Sequence, residues 1–176
     1  AGATKMSILL SSKSFGTRSL LGDDMAAWQG PAVYVFNDAV FREQDFENLA
    51  NLAQSNKAED PAATGRFGVG FNSVYHFTDV PFILSGDHLA ILDPHRQYLP
   101  AGVTVAGPGT RIDLKRKHTL WRRFADQWSP VAGRYGVPRL DQQFSSSFAG
   151  TLFRFPLRTA DTASKSKIKA KPMPVA

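Results

Sequence analysis

Cysteine is absent from the 176-residue chain. A disulfide framework and a thiolate metal site are both excluded, and the absence fits a cytosolic compartment without requiring one. Histidine is scarce: His76, His88, His95 and His118 are the only four, and none stands in an HExxH arrangement, which argues against a zinc hydrolase. Long apolar runs are missing too. Met6-Ser7-Ile8-Leu9-Leu10 falls far short of the roughly 20 residues of a membrane span; with no basic n-region before it, it is not read as a signal peptide. Acidic residues are outnumbered, 15 against 21 Lys and Arg, giving a net charge of +6. Much of the excess lies in Arg111, Lys115, Arg116, Lys117, Arg122 and Arg123, and in Lys165, Lys167, Lys169 and Lys171. Such surfaces attract nucleic acid or anionic lipid. No base-reading motif accompanies the charge, so a solvated face and a disordered tail are the preferred reading.

What remains is ordinary for one soluble globular domain: 43% hydrophobic and 20% charged residues over a length that suits a single core. Lys5 to Leu10 reads as a short strand. Ala32-Val33-Tyr34-Val35-Phe36 is continuous, β-branched and aromatic, the pattern of a strand buried on both faces. Phe46, Leu49, Ala50 and Ala53 follow at i, i+3, i+4, i+7 and predict a helix over about 43–54. Ser55 to Thr64 is polar, with little to bury, and is expected to be mobile. Val80 to Leu84 and Leu89 to Leu92 read as a hairpin around Ser85-Gly86-Asp87-His88, Thr110 to Leu114 as a further strand, and Leu120 to Trp128 as an amphipathic helix with Trp121, Phe124 and Trp128 inward and its arginines outward. Thr151 to Leu157 alternates as a last strand. Past Arg158 the composition shifts to Ala, Ser, Thr, Lys and Pro, predicting a domain over 1–158 and a disordered tail or linker over 159–176. The elements give an α/β or α+β two-layer arrangement on a mixed sheet.

Gly65-Arg66-Phe67-Gly68-Val69-Gly70-Phe71 is the strongest local signal. Three glycines let the backbone turn tightly and approach a ligand, and the helix that starts there offers free N–H groups to an anion. No Gly-Lys-Ser/Thr follows, and no strand directly precedes the first glycine, so neither a Walker A loop nor a dinucleotide fingerprint is present. On the residues alone, phosphate binding and close helix–loop packing fit equally well.

The run from Gly65 to Asp79 resembles the sacsin/Nov domain pattern Gly-Arg-Phe-Gly-x-Gly-Phe-Asn-x-Val-Tyr-His-Phe-Thr-Asp, and more loosely the second glycine box of the ninety-kilodalton heat-shock chaperone. Trp28 to Ala32, Tyr34 to Phe41, Asp93-Pro94-His95, Asp126 to Pro130 and Gly150 to Arg158 resemble sacsin-type stretches in the same order. The resemblance covers about residues 1–160. It implies the Bergerat fold of the GHKL ATPase superfamily: a mostly antiparallel mixed sheet with helices on one face and ATP in the helical layer, here lacking the first helix.

By resemblance, Asn37 and Asp38 fall at the nucleotide site, and Asp38 matches the aspartate that accepts the adenine amino proton; its other reading is a cap for a turn or for the coming helix. Thr151 matches a threonine that helps hold that aspartate and a water, although threonine also suits any strand. Gly65, Arg66, Phe67, Gly68, Val69, Gly70 and Phe71 match the phosphate loop, and Ser55 to Thr64 the lid, from which Lys57 can reach a phosphate. ATP and Mg²⁺ are the implied cofactors, client or co-chaperone proteins the implied partners, and the cytoplasm the implied location; nucleic acid is not an expected partner. Two departures bear on activity. Asp38 is followed by Ala39-Val40-Phe41-Arg42 where the chaperone has glycines, which implies a differently shaped pocket. Ala1 to Thr4 resembles the residues just after the family's Glu-x-x-x-Asn box, so no catalytic or metal-binding residue is assigned, and the chain as read is not expected to hydrolyse ATP. An interaction module without nucleotide binding is the alternative reading.

Overall fold

A computed structural model describes residues 2–54, 71–101, 109–144 and 147–174. Six strands form one sheet: β1 (Met6–Ser11), β2 (Ala32–Asn37), β3 (Phe82–Gly86), β4 (His88–Leu92), β5 (Gly109–Asp113) and β6 (Phe148–Pro156), in the order β1-β2-β6-β3-β4-β5. Every pairing among these described strands is antiparallel, and with the helices they form the expected α+β sandwich. The last strand in sequence, β6, lies at the centre between β2 and β3, which makes the fold depend on a long-range closure.

Register sorts the side chains. Asn37, Val35 and Val33 on β2 align with Thr151, Phe153 and Phe155 on β6, and onward with Ser85 and Ile83 on β3. This first face carries helix α1 (Glu43–Gln54), whose Phe46 and Leu49 are buried against Ile83, Ala90 and Leu92. Tyr34, Phe82, Leu84, Leu89, Ile91 and Leu152 point to the opposite face and meet the larger core, built with Trp28, Trp121, Trp128, Val131 and Phe144. Both faces of β2 are covered, the physical reason for its unbroken apolar run.

The expectation of helices on one face is corrected here. A 3₁₀ turn at Asp23–Trp28 and two short helices, α2 (Thr119–Arg123) and α3 (Ala125–Trp128), bury Met25, Trp28, Trp121 and Trp128 in the second core. The single helix expected over Leu120 to Trp128 is also corrected: it breaks at Phe124 (φ −110°, ψ 50°). Asp126 causes the break. Its carboxylate accepts the N–H groups of Arg18 (2.7 Å) and Ser19 (3.1 Å), while its own N–H donates to Ser19 Oγ (2.9 Å), and these tertiary bonds outcompete one more helical turn.

The hairpin forms as expected. Ser85 pairs with His88, and Gly86 takes φ 57° in the two-residue turn, a position glycine fills without steric cost. Within 159–174, part of the expected tail or linker, α4 (Ala160–Lys165) follows Thr159, which caps Thr162 N–H at 3.2 Å while Thr162 Oγ1 accepts the Thr159 N–H at 2.8 Å. Ile168 then packs by Val74, Tyr75 and Phe155, and Met173 N–H bonds Arg158 O at 2.7 Å. The lysine-rich composition concealed these apolar and backbone anchors.

Candidate functional site

Chain geometry at the end of β2 builds the site. Asn37 closes the strand and its Oδ1 accepts the Ala39 N–H at 3.1 Å, turning the backbone out of the sheet. The following loop, Asp38 to Arg42, leads into α1. Asp45, in the first turn of that helix, reaches back to the N–H of Arg42 at 2.7 Å, half of a capping box. The loop is tied to the sheet from beneath. Phe41 N–H donates to Ser85 Oγ at 2.8 Å, and Thr151 Oγ1 donates to Ala39 O at 2.7 Å. Ser85 and Thr151 are both buried, and their hydroxyls lie 2.7 Å apart.

Above this loop is a cavity of about 620 Å³. Phe41, Leu49, Phe71 and Phe153 give it apolar walls, Asn37, Asn48, Arg42 and Asp45 supply polar groups, and Gly2 and Ala3 close one margin. Apolar walls with a few polar groups are the usual make-up of a small-molecule site. The volume lies within the usual range of small-molecule sites.

Of the residues expected at the site, Asn37 and Phe71 line this one cavity. Asp38 stands between the lining residues Asn37 and Ala39, but its carboxylate turns toward β1: it accepts Thr4 Oγ1 at 2.6 Å, Thr4 N–H at 2.8 Å and Lys5 N–H at 3.0 Å. The Thr4 hydroxyl first, then the Lys5 and Thr4 amides, hold its pKa down at about 2. Thr151 lies under the loop. Lys57, Gly65, Arg66, Phe67, Gly68, Val69 and Gly70 lie outside the described residues, as does the segment expected to form the lid. Arg42, Asp45, Asn48 and Ser85 were not singled out by the sequence. The Arg42–Asp45 spacing is a cap signal in retrospect, and Ser85 is the polar interruption of Phe82-Ile83-Leu84. Among the described residues no group of three or more His, Cys, Asp or Glu is placed to hold a metal ion, so no described residue is assigned to Mg²⁺. No helix among them is long and apolar enough to cross a membrane.

Fold and site together define an α+β sandwich domain with a small-molecule-sized cavity where its second strand meets its longest described helix. The model of the Sacsin domain matches residues 1–174, and the chain belongs to that family. It is similar to human sacsin, with 41% identity over 174 residues, which is 97% of this chain and 4% of human sacsin. The chain thus spans a small fraction of that relative's length.

Proposed function

We propose that this domain binds an adenine nucleotide in the cavity above the Asp38–Arg42 loop, as the ATP-binding unit of a sacsin-like chaperone or co-chaperone of the GHKL type. One observation carries the reading: the cavity gathers Asn37, from the strand end that precedes Asp38, and Phe71, the last residue of the glycine-rich run, onto common walls. Asn37 and Phe71, far apart in sequence and each next to a stretch singled out for a nucleotide, therefore face the same space. In this reading Phe71, Phe153 and Leu49 take the purine faces, Asp38 or Asn37 reads its exocyclic amine, and the glycine-rich run with Lys57 meets the phosphates. Bound ATP would supply a triphosphate whose charge Mg²⁺ neutralises, and occupancy would bias neighbouring parts of a longer, cytoplasmic protein toward one of two states.

Calorimetric titration of ATP and ADP into the wild-type chain and Asp38→Asn tests the assignment. Asp38→Asn is expected to weaken both nucleotides, and equal affinities remove Asp38 from the site. A second reading, an interaction module that has lost nucleotide binding, draws on the three hydrogen bonds that already occupy the Asp38 carboxylate. It predicts no rise in melting temperature at millimolar ATP, where a nucleotide-binding domain must gain stability by mass action.

A further inference from the structure

Ser85 is the penultimate residue of β3, an apolar strand in the middle of the sheet, and is almost fully buried, 1% exposed. A buried hydroxyl costs free energy unless it is bonded, and this one is bonded on every side. It accepts the Phe41 N–H at 2.8 Å, lies 2.7 Å from Thr151 Oγ1, and approaches Gly150 O at 3.0 Å. Thr151 Oγ1, also fully buried, lies 2.7 Å from Ala39 O.

Proton counting leaves two arrangements, one that serves Gly150 O and one that serves Ala39 O. Each hydroxyl has one proton, so two protons serve three oxygen–oxygen contacts. If Ser85 gave its proton to Gly150 O and Thr151 gave its own to Ala39 O, the two hydroxyl oxygens would face each other at 2.7 Å with no proton between them. The order that satisfies both loop groups runs from Phe41 N–H to Ser85 Oγ, from the Ser85 hydroxyl to Thr151 Oγ1, and from the Thr151 hydroxyl to Ala39 O. Both ends of the relay are backbone groups of the same loop. The hairpin turn supports that loop from the side: a Cβ added at Gly86 would stand 3.3 Å from Val40 Cγ1.

We infer that Ser85 is a positioning residue for the cavity: through Thr151 it locks the backbone of Ala39 and Phe41 onto β3 and β6, and so fixes the wall against which a ligand lies. The inference rests on the proposed nucleotide site for the identity of that ligand, and on the hydrogen-bond geometry alone for the locking. Ala39, Phe41 and Arg42 all line the cavity, so a loop free to lift from the sheet changes the cavity's shape without altering any side chain that touches the ligand.

The test compares wild type, Ser85→Ala, Thr151→Val and the double variant in the 176-residue chain, by amide hydrogen exchange and by calorimetric titration with ATP. Ser85→Ala is expected to speed exchange of the Phe41 amide and its loop neighbours by about tenfold and to weaken ATP by about tenfold, the scale of one buried hydrogen bond. Exchange in β3 and β6 should stay at the wild-type rate. Because the two hydroxyls act as one relay, the double variant should be little worse than either single variant. Unchanged loop exchange in Ser85→Ala overturns the inference. So does exchange that rises equally through β3 and β6, the mark of a purely structural hydroxyl, or local loosening with ATP affinity unaltered. If wild type itself binds no ATP, the nucleotide reading fails while Ser85 is judged on exchange: loosening confined to 39–42 upholds the lock, and any other pattern ends it.

Discussion

Asp38 and Thr4 are joined twice, once through the Thr4 hydroxyl at 2.6 Å and once through its backbone N–H at 2.8 Å, so the residue that follows β2 clasps the residues that lead into β1. The depressed pKa of about 2 follows from this clasp. A group whose folded pKa lies below its ordinary value of 3.8 contributes stability above that value and loses the contribution as pH falls through the folded pKa. Solvent reaches the carboxylate, so the contribution is small and local. Thr4→Val removes the largest cause and should raise the Asp38 pKa toward 3.8 in a carboxyl NMR titration. In wild type the Thr4 and Lys5 amides should lose exchange protection between pH 4 and pH 2. An Asp38 that titrates identically in Thr4→Val would show that the clasp is not what lowers it.

Arg158 and Asp79 make a pair of a different kind, because both side chains are buried. The guanidinium bonds Asp79 Oδ1, its Nε at 2.8 Å, and also holds the carbonyls of Tyr75 (3.0 Å) and His76 (3.2 Å). Tyr98, whose hydroxyl burial pushes well above its ordinary pKa, donates to Asp79 Oδ2 at 3.3 Å. Arg158→Ala strands a buried carboxylate and two carbonyls, and should cost about 3–5 kcal/mol in urea unfolding. Combining Arg158→Met with Asp79→Leu should recover a large part of that loss, because the charge left behind is what makes the single change so costly. No recovery would mean that the two carbonyls, rather than Asp79, are what Arg158 chiefly serves.

These two pairs show which parts of the molecule local patterns can reveal. Phe46 and Leu49 at helical spacing placed α1 correctly, because a helix on a sheet buries one stripe and the stripe is written in the sequence. The Ser85-to-His88 turn was legible because glycine marks a position that demands positive φ. The break at Phe124 was hidden, since no glycine or proline marks it and the competing partners, Arg18 and Ser19, lie more than a hundred residues away. After Arg158 the anchors at Ile168 and Met173 were hidden, because a composition average cannot register that each finds one partner. Asn37 and Phe71, which line the cavity, were named through the family resemblance rather than through any local pattern. Ser85 was not legible, because a serine near the end of β3 gains its partners only when β6 inserts beside it.

Trp128 tests the separation of the two cores. It is fully buried on the face away from the cavity, stacks on Trp121 (centroids 6.1 Å apart, planes at 5°) and donates its indole N–H to Leu120 O at 2.9 Å. Trp128→Ala should cost about 3–5 kcal/mol in denaturant unfolding, from lost burial and the cavity left behind. Under the proposed function, ATP affinity of the folded fraction should stay within about twofold of wild type, since sites that share no contact are additive. A large affinity loss in protein that remains folded would show that the sheet transmits strain between its faces.

Gly150 joins the fold to the site most directly. It stands at the start of β6, and a Cβ placed there would lie 2.7 Å from Asn37 O and 2.7 Å from the Phe36 ring. Neither neighbour can yield cheaply: Asn37 O belongs to backbone, and the Phe36 ring is stacked on Tyr135 with centroids 4.7 Å apart. Gly150→Ala should therefore destabilise by about 1–3 kcal/mol, the usual cost of forcing extra volume into a packed interior. The strain has an exit toward the cavity, because Asn37 is the last residue of β2 and its side chain holds the Ala39 N–H. Melting temperature and ATP affinity should fall together in Gly150→Ala, whereas Trp128→Ala should lower only the first. If Gly150→Ala melts like wild type, β2 and β6 have slack at this point, and Asn37 is not held in place by the strand beside it.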